Sequence, residues 1–153
     1  NHNDFKGTVI IGIQSRGVLV SRRIFKRLQE INPTINIEYG ELDISFYRDD
    51  FRCRELIVPS ANKMYIQVEG KVVVLVDDVL YTGRSINAAL TAIQSFGRPS
   101  EVELLTLIDR RFSRHLPIQP DYRGRQVDAI NNEKVLVKWL ENDGEDAVYL
   151  ITK

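Results

Sequence analysis

Two carboxylates stand side by side at Asp77 and Asp78, and a small hydroxyl-and-glycine cluster, Thr82, Gly83 and Ser85, follows closely. Adjacent acids can accept hydrogen bonds from neighbouring sugar hydroxyls, or hold Mg²⁺ directly or through water. A short loop running into a helix offers main-chain N–H groups and a partial positive charge to an anion. Gly83 permits a backbone conformation that other residues resist and a close approach of the ligand. Acid pair, loop and helix start together suit a sugar phosphate. Two other readings use the same residues. In one, the acids merely cap the next helix. In the other, an acid at a strand end holds Mg²⁺ in a nucleotidase-type site, which usually needs a Gly-Lys-Ser/Thr phosphate loop that this chain lacks.

A second candidate anion site is Gln14-Ser15-Arg16-Gly17, where Arg16 is a charge-assisted donor and Gly17 lets the backbone approach. The plainer alternative is an ordinary turn with a solvated arginine. A third cluster is Tyr47-Arg48-Asp49-Asp50. Its acids read equally well as a solvated turn.

The elements that must carry these groups follow from the apolar pattern. Residues 72–76, VVVLV, are β-branched and unalternating, the mark of a strand covered on both faces. We expect the acid pair at its end. Residues 8–13 read as another buried strand, and residues 18–31 as a helix with Val18, Leu19, Ile24, Leu28 and Ile31 near helical spacing. Arg22, Arg23, Lys26 and Arg27 fall on its other side. Residues 37–44 lead into a strand at 45–47, and residues 51–70 read as irregular. A helix spans 84–96, with Gly97 and Pro99 as stop signals. Residues 102–108 form a further strand and 112–126 a loop. Residues 134–139 and 147–151 pair as an antiparallel hairpin around Asp143-Gly144. Alternating strands and helices predict an α/β fold, a mainly parallel central sheet flanked by helices with a small antiparallel C-terminal element, in a single domain over residues 1–153. In such sheets ligands sit beyond the carboxyl ends of the strands. The turns at 14–17, 77–85 and 109–111 therefore converge on one cleft.

Composition narrows the function class. Lys+Arg and Asp+Glu both number 21 in 153 residues, so no global charge drives the chain to nucleic acid or membrane. One cysteine, Cys53, excludes an intrachain disulfide and suits a cytoplasmic setting. Two histidines, His2 and His115, are too few and scattered for a zinc site. No apolar stretch is long enough to span a bilayer. The chain begins without Met, and an N-terminal segment is expected to be missing.

The string V-D-D-V-L-Y-T-G-R-S resembles the phosphoribosyl pyrophosphate (PRPP) signature of type I phosphoribosyltransferases. Three further blocks, I-G-I-Q-S-R-G-V-L-V-S-R-R, E-L-D-I-S-F-Y-R-D-D and F-G-R-P-S-E-V-E-L-L-T-L-I-D-R-R with H-L-P-I-Q-P-D-Y-R-G-R, make it similar to the PyrR family. Those proteins regulate pyrimidine operons and are also uracil phosphoribosyltransferases. The resemblance runs from about Val9 to about Glu133.

It implies a type I phosphoribosyltransferase fold and residue roles. Asp77 and Asp78 hold the ribose hydroxyls and accompany Mg²⁺; Tyr81, Thr82, Gly83, Arg84 and Ser85 hold the 5′-phosphate, and Val79 and Leu80 complete the PRPP-binding stretch. Ser15, Arg16, Gly17 and Arg48 receive pyrophosphate, and Ile108, Asp109 and Arg110 lie beside uracil. Phosphoribosyl transfer passes through a cation-like sugar that water would intercept, so the stretch from Arg48 to about Gly70 is expected to close as a lid. Partners implied are PRPP, uracil, UMP or UTP, and the pyrimidine (pyr) operon leader mRNA, touched by Arg114, Arg123 and Arg125. A homo-oligomer, dimer or tetramer, is also implied, and we expect Val18, Leu19 and Ile24 to serve it. The chain departs from the family where Gln14 replaces a common Lys, Asn87 a frequent Arg, and Gln119 a basic residue. D-A-I-N-N stands for the usual P-T-S, and the leading helix is missing. Two functions compete with the bifunctional one: a nucleotide-sensing RNA-binding regulator with little catalysis, and salvage of a purine base.

Overall fold

The computed structural model describes residues 5–44, 56–57, 67–130 and 132–152. The elements in order are β1 (Thr8–Ile13), α1 (Gly17–Ile31), β2 (Glu38–Leu42), β3 (Leu56–Ile57), β4 (Val72–Leu80), α2 (Arg84–Gln94), β5 (Glu101–Arg110), β6 (Tyr122–Val127), β7 (Glu133–Lys138), α3 (Leu140–Asp143) and β8 (Ala147–Thr152). Among the described residues the main sheet runs β3-β2-β1-β4-β5-β6, and β7 and β8 form a separate pair. All neighbours in the main sheet are parallel except β2 and β3.

The centre of the sheet is apolar because both its faces are covered. Val9, Ile11, Ile13, Val73 and Leu75 pack toward α2 with Ile86, Ala89 and Ile93. Ile10, Val74 and Val76 pack toward α1 with Val20, Leu19, Ile24 and Leu28. Contact with α1 is close: a Cβ at Gly12 would collide with Ser21 Oγ. Ser21 Oγ in turn donates to the Val18 carbonyl at 2.9 Å, so only glycine lets the helix settle on β1 here. The hairpin adds Val137 and Trp139 to the α1 side.

Several expectations need correction. The acid pair does not terminate its strand; β4 continues through Leu80, with Asp77 opposite Thr106 and Val79 opposite Ile108. The apolar run marked only the part of β4 that is covered on both faces. Residues 122–127, read as loop, are β6. YRGRQV carries no apolar alternation because β6 is an edge strand with an exposed middle. Strand β2 ends at Leu42 rather than leading onward, and the expected strand at 45–47 lies outside the described residues. Helix α2 stops at Gln94, where the Ser95 and Phe96 amides turn to the carbonyls of Ala92 and Ile93. Asp143-Gly144 is not a two-residue hairpin turn. Asp143 closes the one-turn α3, and Gly144 follows at φ 76°. Val18, Leu19 and Ile24 form the core side of α1: Val18 is buried, and the other two pack against the sheet cluster. Val18 is therefore not available to a partner.

Candidate functional site

The carboxyl ends of β1 and β4 bring two of the three anticipated turns together. Gly17 opens α1 directly against β4. A Cβ there would lie 2.6 Å from the Val76 carbonyl oxygen and 3.1 Å from Asp77 Oδ1. Only a glycine lets the 14–17 turn approach the acid pair so closely. Gln14 donates its amide to the Leu42 carbonyl at 2.8 Å, tying the turn to β2. The Gln14–Ser15 peptide is cis. Gln14 and Ser15 are exposed and Gly17 is buried. Arg16 is partly exposed but anchored. Its Nη1 donates to the Val137 carbonyl at 2.8 Å and stands 3.6 Å from Asp143.

Asp77 and Asp78 are half-buried, and each holds a local main-chain donor. Asp77 Oδ1 accepts the Asp78 amide at 2.8 Å, and Asp78 Oδ1 accepts the Val79 amide at 2.7 Å. Burial, then the charge of Asp78, push the Asp77 carboxyl up to about 8; the Asp78 amide opposes them. Among the described residues, no cationic side chain forms an ion pair with either acid. Two crowded carboxylates short of positive charge fit a hard cation that takes one or two protein oxygens and fills its other positions with water and substrate.

Beyond them the chain turns at residues 81–83. Gly83 takes φ 91° as the N-terminal cap of α2, and Thr82 Oγ1 accepts the Arg84 amide at 3.3 Å. Asp77, Leu80, Thr82, Gly83 and Ser85 help line a cleft of about 120 Å³ at this helix start. Arg84 is exposed, its Nε 3.4 Å from His115 Nδ1. Tyr81 is exposed, and the Arg110 guanidinium stacks 4.1 Å from its ring centroid.

Ile108, Asp109 and Arg110 are all buried at the end of β5. The Asp109 carboxylate is already engaged, 2.6 Å from Arg114 Nη2 and 3.7 Å from Arg123 Nη1. Arg110 donates from Nη2 to the Glu133 carbonyl at 2.9 Å, while its buried Nε has no partner. Arg48 and the expected lid fall outside the described residues.

The basic side of α1 is largely neutralised. Arg22 makes a two-point pair with Glu41 at 2.6 and 2.9 Å. Arg23 reaches both Glu141 and Asp146, and Arg27 pairs with Glu30. Arg111 pairs with Asp128. Arg123 and Arg125 lie exposed on β6. Sequence reading missed that Arg114 touches the 80–82 loop, a contact across 33 residues that no local pattern announces.

A model of the phosphoribosyl transferase domain matches residues 1–142. A bifunctional protein PyrR of Elusimicrobium minutum is 42% identical over 145 residues, covering 94% of this chain and 80% of the relative. A pyrimidine operon regulatory protein of Lactococcus lactis subsp. cremoris is 42% identical over 142 residues, 93% of this chain and 79% of the relative. Among solved structures, a hypoxanthine-guanine phosphoribosyltransferase of Bacillus anthracis superposes with a TM-score of 0.70 over 99% of this chain and 85% of that one. At 15% identity that likeness establishes the fold and says nothing of the base.

The raised Asp77 carboxyl has a consequence for stability. Its ordinary value is 3.8 and its folded value about 8, so between these limits the folded state holds a proton that the unfolded chain has lost. The contribution is full below about pH 4 and is lost as pH rises through 8. Asp77→Asn should remove this slope. We expect the variant to gain stability over wild type between pH 5 and 8, read from urea midpoints without ligand; equal midpoint changes in both proteins would refute the assignment.

Proposed function

Because this chain belongs to the phosphoribosyl transferase domain family and, within it, to the PyrR proteins, we propose that it transfers the phosphoribosyl group of PRPP to uracil, giving UMP and pyrophosphate. One observation carries the placement of the site: Gly17 seats the 14–17 turn against Asp77, beside the 80–85 loop. Two anion-binding turns on either side of an acid pair suit a molecule with phosphate at one end, pyrophosphate at the other and a diol between them.

In this reading the sugar hydroxyls donate to Asp77 and Asp78, supplying hydrogen bonds that the crowded carboxylates lack. The amides at 81–83, with Val79, Leu80, Arg84 and Ser85, receive the 5′-phosphate at the start of α2. Ser15, Arg16 and Gly17 receive pyrophosphate, for which the Arg16 guanidinium has to leave Val137. The main chain of Ile108, Asp109 and Arg110 borders the uracil. The reaction joins uracil N1 to the ribose C1 as the C1–O bond to pyrophosphate breaks. Pyrophosphate leaves with the electron pair and N1 gives up its proton. Mg²⁺ held at Asp77 and Asp78, in part through water, would offset the charge of the leaving group. The chain's own contribution is orientation and charge placement, without a covalent intermediate.

We expect Asp77→Asn with Asp78→Asn to retain the fold and lose at least a thousandfold in UMP formation, on the order of 4 kcal/mol of transition-state stabilisation. An assay with PRPP, Mg²⁺ and radiolabelled uracil, hypoxanthine and guanine checks both points. Near-native turnover in the double variant would end the site assignment, and a purine preference would end the uracil one.

The second activity is regulatory, binding pyrimidine-operon leader mRNA in response to UMP or UTP. Its support is the similarity to a relative named as a pyrimidine operon regulatory protein, together with exposed Arg123 and Arg125 on β6. Phosphate contacts from such a surface release counterions, so affinity should fall steeply with salt. In a gel shift with leader RNA, Arg123→Ala with Arg125→Ala should bind at least tenfold more weakly and show a shallower salt slope. An unchanged slope excludes these arginines.

We further propose a homo-oligomer, a dimer or tetramer. Val148, Tyr149, Leu150 and Ile151 of β8 are 40–53% exposed, an apolar run of the kind that association covers. Light scattering should give a mass well above the 17.6 kDa of one chain; a monomer at micromolar concentration would refute this.

A further inference from the structure

We propose that Arg114 is a positioning residue for phosphate binding, acting through the main chain of residues 80–83. The inference rests on the reading of that loop as the 5′-phosphate site. Arg114 Nη1 donates to the Tyr81 carbonyl at 2.7 Å and approaches the Leu80 carbonyl at 3.4 Å. The next carbonyl, Thr82, accepts the His115 amide at 2.9 Å and the Leu116 amide at 3.3 Å. Three successive loop carbonyls are thus drawn toward the 114–116 segment.

Peptide planarity turns this into a statement about the opposite side. In a trans peptide the C=O of one residue and the N–H of the next point in opposite directions. The loop peptides are trans, the described cis bond being Gln14–Ser15. Holding the carbonyls of Leu80, Tyr81 and Thr82 on one side therefore directs the N–H groups of Tyr81, Thr82 and Gly83 to the other. That is the arrangement an anion requires.

Arg114 can hold this geometry because it is itself held. Its Nη2 sits 2.6 Å from Asp109 Oδ1, and the Asp109 side chain is 4% exposed. Asp109 lies on β5, directly in register with Leu80 of β4. The planar guanidinium thus spans a fixed point of the sheet and the loop beyond it. Lysine, with one nitrogen and no fork, cannot serve both. Ile118 completes the brace: its Cδ1 would lie 3.3 Å from a Cβ at Gly83.

A residue that merely stabilised the fold would affect every ligand alike, so the test separates phosphate from the rest of the nucleotide. UMP and uridine are titrated calorimetrically into wild type, Arg114→Ala and Arg114→Lys, with circular dichroism to confirm folding. Steady-state KM values for PRPP and uracil are measured beside them. We expect Arg114→Ala to bind UMP at least tenfold more weakly and to raise the PRPP KM by a similar factor. Uridine affinity and the uracil KM should stay within twofold, and Arg114→Lys should fall between. If Arg114→Ala does not fold, the same split in Arg114→Lys decides. Wild type that binds UMP, with variants that bind it equally well, overturns the inference and spares the site. Equal losses for UMP and uridine overturn it too. Wild type that binds no UMP removes both the site and the inference.

Discussion

Taking a carboxylate out of water without a countercharge is among the most costly things a fold can do, and half-buried Asp77 goes part of the way, so that its acid form is favoured. It sits on a strand whose preceding residues are covered by helices on both sides, next to a second acid that can only repel it. Much of the surrounding architecture makes this tolerable without abolishing it. Two main-chain amides donate to the pair, and the glycine at the start of α1 brings a helix N-terminus near. What is withheld, among the described residues, is a lysine or arginine that would neutralise the site and leave nothing for a ligand to do. The free protein is in this respect poised against itself. The stability lost is affinity held in reserve for whatever brings hydroxyl donors or a cation to the pair.

The same economy explains the placement of arginines. Arg22, Arg23 and Arg111 are matched to acids elsewhere in the chain, and Arg27 to Glu30 one turn on in its own helix. Exposed pairs of this kind add little stability each. Their effect is to remove competing positive surface, so that an anionic ligand finds its partners at the strand ends. Arg16 is held more loosely, by a carbonyl and a distant carboxylate, and is correspondingly easier to release.

How much of this could be read from the residues depends on whether the signal was local. The central strands were legible because burial on both faces leaves an unbroken apolar run, and α2 because its stop signals stand in line. The acid pair and the loop beyond it were legible as chemistry, since their types and order are contiguous. Strand β6 was not: an edge strand with an exposed middle needs no apolar pattern. Nor could the sequence show that α1 spends its arginines on Glu41, Glu141 and Asp146, because those partners arrive from other elements. The apolar side of α1 was legible, but not that the sheet takes up much of it, since helical periodicity marks a face without saying what covers it. Asp109 is the subtlest case. Its position at the end of β5 was evident, but not that its carboxylate is taken up by Arg114.

An anion site made of amides has a peculiar heredity. Every residue except proline carries the same N–H, so in the proposed site the side chains at 80–82 would be under little obligation to the phosphate. In that proposal the obligation passes to Arg114, 33 positions beyond the Tyr81 carbonyl it holds. Binding written in this way resists change where it occurs and is vulnerable where it is braced. Exchanging Tyr81 for another residue alters the outline of the cleft, whereas exchanging Arg114 releases the carbonyls of Leu80 and Tyr81. For anyone reshaping this protein toward another phosphorylated sugar, the freedom lies in the loop and the restraint lies behind it.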